Sequence, residues 1–468
     1  MPRAASLLDR STVLIPLLVG AGWAGSVALG PRLGPVVYAA PALAAVLAVL
    51  AIVLAGAAAA RPAGVAILLV VVLAGLTIAF DQRQEGEVGL TPQNFLKLVV
   101  WLFLALVTLL QARRFLWLMR DPVLALAGLH VLVALVSTAW SLAPLYTLVN
   151  GIGLVGYLGL ACLVAVRLPE RTALRVTTGS LFALIGGGLV IGTLLPDLGW
   201  IPPSHGEPQW RFQGLSGQPN VYAQQAGYLL TLALCARRER HLSRGAVLAC
   251  LVVAIVAILL SNSRTTLLAC LLAWALVGLR ERGRLRALAI PVGIAAALAL
   301  LAGSLGGGTG LDGLFGGLTR SGSASELTTL TGRTEIWSVA ADLIAQRPLL
   351  GWGYNGTEQL IADSVPTTFY GSHVNTHNMS VQLVLGLGFL GALPGLGFVA
   401  GLLWRLLRSP DPTRDQVTLL MVVSGLSEAP IFIMPALQNL VVFAVLARDA
   451  AWRVPHPTRR PPQEGAAP

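Results

Sequence analysis

The sequence predicts an all-α, polytopic membrane helix bundle of about 12–14 transmembrane helices, with one large periplasmic loop that contains an amphipathic helix. Three observations predict it. Of the 468 residues, 55% are hydrophobic and 11% are charged. A soluble domain carries roughly 25% charged residues, so a water-soluble fold of this size would lack the polar groups to cover its surface. Apolar runs near the length of a bilayer span, about 20 residues, recur along nearly the whole chain. Finally, the basic residues alternate between loops as the positive-inside bias requires.

The spans are read at 11–30, 35–60, 63–80, 94–111, 122–139, 147–166, 174–195, 220–236, 245–261, 265–279, 288–305 and 378–404. Arg3 and Arg10 precede the first run, as in a signal peptide. Its length, the lack of a convincing cleavage site and the spans that follow make it a retained helix. The last apolar stretch, 416–447, is interrupted by Glu428, Pro430 and Pro435. It reads as two short helices meeting at the outer surface, which brings the total to 14.

With the N-terminus in the cytosol, 24 of the 32 basic residues fall on the inner side. They include Arg113 and Arg114, then Arg167, Arg171 and Arg175, then Arg237, Arg238, Arg240 and Arg244. Arg280, Arg282, Arg284 and Arg286 follow, and then Arg405, Arg408 and Arg414. Moving the parity by one helix destroys the asymmetry. The expected location is the inner membrane, multi-pass, with both termini cytoplasmic. Eight basic residues remain outside: Arg32, Arg83, Lys97, Arg211, Arg264, Arg320, Arg333 and Arg347. Because the bias runs against cations there, each needs a reason, either solvation or an anionic ligand.

The formal charge of +11 does not point to nucleic acid, since no basic face is free of spans. The lipid bilayer is the expected partner. Cys162, Cys235, Cys250 and Cys270 lie in or at the end of apolar runs, without metal-ligand spacing, and read as small packing residues.

Two outer loops are expected, Pro196 to Pro219 and Gly306 to Thr376. The second opens with a Gly- and Ser-rich linker that lacks the GK[ST] of a phosphate loop. It continues as an amphipathic helix from Gly332 to Gln346, with Ile336, Trp337, Ala340, Leu343 and Ile344 on one face. Gly332 is the expected N-cap, Glu335 suits the first turn, and Pro348 ends the helix. It is expected on or near the outer membrane surface. The Gly388, Gly391 and Gly395 spacing, with Gly397 and Gly401, suits close packing of helices in lipid.

Four outer segments gather polar groups. In Arg211–Asn220, RFQGLSGQPN, Arg211 stands at a helix mouth with Asn220 nearby; it is either a snorkelling side chain or a ligand contact. In Ser261–Thr266, SNSRTT, Arg264 is nearly intramembrane, which marks a functional candidate unless backbone carbonyls satisfy it. TGRTEIW carries Arg333 and Glu335. SHVNTHNMSVQ carries His373, His377 and Asn378; the two histidines, four apart, would share a helix face. As a metal pair they lack a third ligand, so no metal and no cofactor are expected. A lone histidine serves either as a structural hydrogen-bonder or, with its pKa near neutrality, as a base. Guanidinium groups at this surface suit the phosphate or diphosphate of a lipid.

GRTEIWSVAADLIAQRPLLGWGYN followed by HNMSVQLVLGLGFLG resembles the signature of the O-antigen ligase/polymerase family. STAWSLAPLYTL, RFQGLSGQPN and SNSRTT are similar to further family segments, and the resemblance spans roughly residues 130 to 404. It implies inverting, metal-independent transfer of a glycan from an undecaprenyl-diphosphate donor to a glycan or lipid acceptor on the outer face. It implies donor diphosphate contacts from Arg211, Arg264 and Arg333, and a catalytic role for His377, with Asn378, Glu335, Asn220 and His373 in support. Family members often carry an acid just before the glycine that follows the His-Asn pair. Leu385 stands there in this chain, so Glu335, Asp363 or Glu428 would have to replace it. The division expected is N-terminal transmembrane helices over 1–130, a family-like catalytic domain over 131–404, C-terminal helices over 405–447 and a disordered cytoplasmic tail over 448–468. Protein O-glycosylation is an alternative within the family. A transporter or flippase of lipid-linked saccharides is the alternative from another class; it would place polar groups near the midplane, in repeated halves.

Overall fold

The computed structural model describes residues 61–78, 92–203, 209–280, 333–364 and 375–455. The spans expected at 11–30, 35–60 and 288–305, the Gly/Ser-rich linker, Gly332 and His373 lie outside the described residues.

The described chain is a multi-pass membrane helix bundle. In order it forms α1 (Pro62–Val70), which runs into a π-helical turn Val71–Gly75, α2 (Pro92–Gln111), α3 (Pro122–Val136), α4 (Pro144–Arg167) and α5 (Glu170–Leu194). A single turn, Pro196–Gly199, leads to the strand pair β1 (Trp200–Ile201) and β2 (Arg211–Phe212). Then come α6 (Pro219–Arg238), α7 (Arg244–Leu260), α8 (Arg264–Arg280), α9 (Arg333–Gln346), α10 (Glu358–Ser364), α11 (Met379–Arg408), α12 (Pro412–Gly425) and α13 (Leu437–Arg453). Proline opens α1, α2, α3, α4, α6 and α12, where its missing N–H is not needed. Asp121, Ser243, Asn378 and Asp411 accept the first free amides of α3, α7, α11 and α12.

Among the described residues, five helices are long and apolar enough to cross a membrane: Gln93–Arg114, Pro122–Ala139, Pro144–Arg167, Glu170–Leu194 and Met379–Arg408. Helices α4 and α6 are buried around most of their circumference and form the centre. Helix α4 packs on α2 and α13, α6 on α5 and α7, α3 on α11, and α8 on α12. Leu109, Val190, Leu248, Phe389 and Leu393 point outward from the bundle, as contact with lipid requires. All four cysteines are free and buried, as packing residues are.

The turns collect at two opposite ends. One end carries the arginine clusters and is closed by buried ion pairs. Arg405 pairs with Asp121 and with Asp449, both at 2.6 Å; Arg414 pairs with Asp415 at 2.7 Å and Asp449 at 3.0 Å. Helix α13 therefore continues to Arg453, past the boundary expected at residue 447, because Asp449 is the acid on which this cluster converges.

The other end is held by contacts between distant turns. Trp140 Nε1 donates to Leu350 O, and Leu142 N–H to Trp352 O. Here α11 is broken: Gly388 has φ 66° and ψ 179°. The chain from Pro348 to Gly353 lies along the break and satisfies its backbone. Phe389 N–H donates to Pro348 O at 2.7 Å, and Gly353 N–H to Gly386 O at 2.8 Å. Beyond the break α11 packs on α3 through small residues; a Cβ on Gly401 would lie 2.7 Å from Val123.

The loop helix α9 matches the amphipathic segment read from sequence, but its apolar face is not left for lipid. Ile336, Ala340 and Leu343 pack with Ile361 of α10 and Leu385 of α11. Leu385 thus seats the loop helix.

Candidate functional site

Four of the residues singled out from sequence meet at the end opposite the arginine clusters, around an acid from the turn between α12 and α13. That turn, residues 426–436, carries Glu428, Pro430 and Pro435 and is not helical. Glu428 Oε2 lies 3.0 Å from Nδ1 of His377, and its Oε1 accepts from Arg333 at 3.0 Å and from Asn220 Nδ2 at 2.8 Å. Asn220 in turn accepts from Arg211 at 2.6 Å through Oδ1. The carboxylate is buried, and so is Arg211. Burial alone would raise the carboxyl pKa of Glu428. The charges of His377, Arg333 and Arg211 and the bond from His377 outweigh it and hold the group below the ordinary carboxylate value.

Each side chain has a local cause for its position. Arg211 sits in β2, whose pairing with β1 sets Phe212 opposite Trp200 and Arg211 opposite Ile201. Phe212 packs edge-on against Trp200 and Tyr222, which fixes the strand against α6. Arg211 Nε also donates to Ser261 O at 3.2 Å, in the turn from which Arg264 opens α8. Arg264 is half-buried at that helix start, with its Nε buried.

His377 is not helical, contrary to the reading of His373 and His377 as one helix face. Its φ is +48°, and α11 begins only at Met379. The cause is Asn378, whose side chain accepts from Ser380 N–H and Val381 N–H as the N-cap; its Nδ2 donates to Leu426 O at 3.1 Å. Asn378 therefore ties the start of α11 to the turn that carries Glu428.

The remaining acids separate. Glu335 lies in the first turn of α9 with Oε2 buried and without a hydrogen-bond partner among the described residues. Asp363 is exposed and accepts from Gln359 on its own helix. Of Glu335, Asp363 and Glu428, Glu428 alone makes contact with His377 among the described residues. Its sequence signal was the charge that interrupts the last apolar stretch. Among the described residues, no three or more His, Cys, Asp or Glu side chains gather as a metal site would require.

Chemically, the site offers a histidine whose Nδ1 faces a carboxylate and two guanidinium groups linked to that carboxylate, directly or through an amide. The third cation, Arg264, opens α8 immediately after the turn that holds Arg211.

Residues 249–394 match the family model described as O-antigen ligase. The match takes in Arg264, Arg333, Glu335, His377 and Asn378, and ends before Glu428. No curated protein matches the chain.

Proposed function

From this O-antigen ligase relationship as premise, we propose that the chain transfers a glycan from an undecaprenyl-diphosphate donor to a glycan or lipid acceptor at the outer face of the inner membrane. In this reading the arginine-rich end faces the cytosol, in keeping with the positive-inside bias. The observation that carries it is the convergence of His377, Arg333 and, through Asn220, Arg211 on Glu428. A proton acceptor and anion-binding groups then stand within one network, as glycosyl transfer from a diphosphate requires.

The acceptor hydroxyl attacks the anomeric carbon opposite the diphosphate. Its oxygen forms the new glycosidic bond as the bond from that carbon to the diphosphate oxygen breaks, and the configuration inverts. His377 donates Nδ1–H to Glu428, which leaves Nε2 to take the hydroxyl proton. The ionised Glu428 stabilises the imidazolium so formed. Arg211, Arg264 and Arg333 neutralise the charge that develops on the departing undecaprenyl diphosphate. The α9 helix covers the site and limits hydrolysis of the donor. Asn220 and Asn378 support the arrangement by linking its elements.

The test uses purified full-length protein in detergent with glycan-bearing donor lipid extracted from the source cell. Transfer or lengthening of the glycan by the wild type, absent in His377→Ala and Arg264→Ala at equal protein level, is the expected result. Normal product from both variants rejects the site. Movement of donor only across sealed vesicles, with no transfer, rejects the enzyme in favour of a transporter.

A further inference from the structure

The peptide bond that precedes His377 is held at both ends. Its carbonyl, Thr376 O, accepts from Trp337 Nε1 of α9 at 2.8 Å. Its amide, His377 N–H, donates to Asn375 Oδ1 at 2.8 Å. The amide one residue earlier, Thr376 N–H, donates to Oε1 of Gln382 at 3.0 Å, and Gln382 is itself oriented by donating Nε2 to Thr357 Oγ1 at 3.2 Å. His377 then takes a left-handed backbone, φ +48°, a region that a side chain with a Cβ enters only when its surroundings demand it.

Trp337 lies four residues after Arg333 on the same helix, so both side chains project from one face of α9. One holds Thr376, next to His377; the other holds Glu428, the partner of the His377 ring. A single element thus touches Glu428 and the peptide group that precedes its histidine partner. We infer that Trp337, with Gln382, is a positioning residue for His377: docking of α9 aims the imidazole by fixing the peptide group before it. The inference rests on the reading of His377 as the base. It adds that the loop helix, besides bringing an arginine, sets the base in line only when docked. Misplacement of a reacting group by about 1 Å lowers rate by roughly a hundredfold, so loss of either hydrogen bond acts on turnover and spares diphosphate binding.

The experiment compares Trp337→Phe, which keeps the ring and removes the N–H, with Gln382→Leu, which removes the acceptor for Thr376. His377→Ala and Arg264→Ala serve as controls. Surface glycan is measured in source cells that carry each variant. On the purified full-length protein, inorganic pyrophosphate probes the cation cluster, melting temperature reports the fold, and the 15N shift of His377 Nδ1 reports its bond to Glu428. The expected result is glycan output lowered about tenfold to a hundredfold in both Trp337→Phe and Gln382→Leu, with the Nδ1 shift moved and pyrophosphate affinity and melting temperature kept. Full output in both, with output lost in His377→Ala, overturns the inference and leaves the catalytic reading standing. Full output in His377→Ala overturns the reading itself. A loss of output that tracks lowered melting temperature or pyrophosphate affinity assigns Trp337 and Gln382 to the scaffold and overturns the inference.

Discussion

Glu428 lies 3.0 Å from the Nδ1 of His377, although 51 residues separate the two in the chain. The contact exists because α12 and α13 form a hairpin whose turn returns to the capped start of α11, where Asn378 holds Leu426 O.

Replacing Glu428 by Gln keeps the shape and removes the charge. In the proposed reaction the imidazolium would then lack its counter-ion, and Arg333 loses an ionic partner. Transfer should fall by about a hundredfold or more, the scale of general base catalysis. Glu428→Asp should fall less. Steady-state transfer by purified variants checks the order wild type, Asp, Gln; equal rates for wild type and Glu428→Gln would remove the carboxylate from the mechanism.

The same carboxylate makes a directional statement about acid. Its folded-state pKa lies below the ordinary 4.5 because His377, Arg333 and Arg211 outweigh the effect of burial. A depressed pKa contributes stability that is fully present above the unfolded value and is lost as the pH falls through the folded one. The melting temperature of wild type should therefore decline as the pH drops below about 4.5. Glu428→Gln should start lower and lose this part of the acid slope. Thermal scans of both proteins in detergent across that range decide it.

At the opposite end, Arg414 is 1% exposed and satisfies both Asp415 and Asp449. Arg414→Ala removes the ion-pair partner of the buried Asp415 and one of the partners of Asp449, which Arg405 still holds; breaking such a buried pair destabilises by roughly 3–5 kcal/mol. The expected outcome is a lower melting temperature and less protein in the membrane, with the activity per folded molecule unchanged. A drop in specific activity at unchanged stability would show that the two ends of the bundle are coupled.

The helical bundle and the cations were legible because each leaves a one-dimensional trace. Apolar runs mark spans, and Arg211, Arg264 and Arg333 lie toward the end opposite the arginine clusters. What was not legible depends on return of the chain. Glu428 showed only as a break in an apolar stretch, and nothing local says which turn it meets. The four-residue spacing of His373 and His377 suggested one helix face, but the helix starts after His377, close to the span read at 378–404, because the side chain of Asn378 caps it. Arg211 was expected in a loop, whereas two residues of strand pairing and the packing of Phe212 carry it into the interior. Leu385 stood out as a missing acid, and only packing shows that it holds Ile336 and Leu343 of the loop helix.

Gly388 illustrates the same limit and gives the last prediction. Its spacing to Gly391 and Gly395 reads as a packing motif, yet its own reason is different. Its φ is +66°, and a Cβ there would lie 2.3 Å from the carbonyl carbon and oxygen of Leu349. An added methyl is thus opposed twice, by the backbone conformation and by the segment that seals the break in α11. Gly388→Ala should push Pro348–Gly353 away from α11 and strip the partners from Phe389 N–H and Leu390 N–H, with a stability loss of about 1–3 kcal/mol from the strained backbone alone. Because Trp140 and Leu142 bind the same segment, the displacement should reach the turn between α3 and α4. At Gly397 the three atoms nearest an added Cβ all belong to the flexible Leu126 side chain, the nearest at 3.3 Å, so Gly397→Ala should be tolerated far better. Melting temperature and protease sensitivity near Arg347, measured on both variants, separate the two roles of glycine in one helix. Equal tolerance of alanine at both positions would contradict the broken geometry of α11.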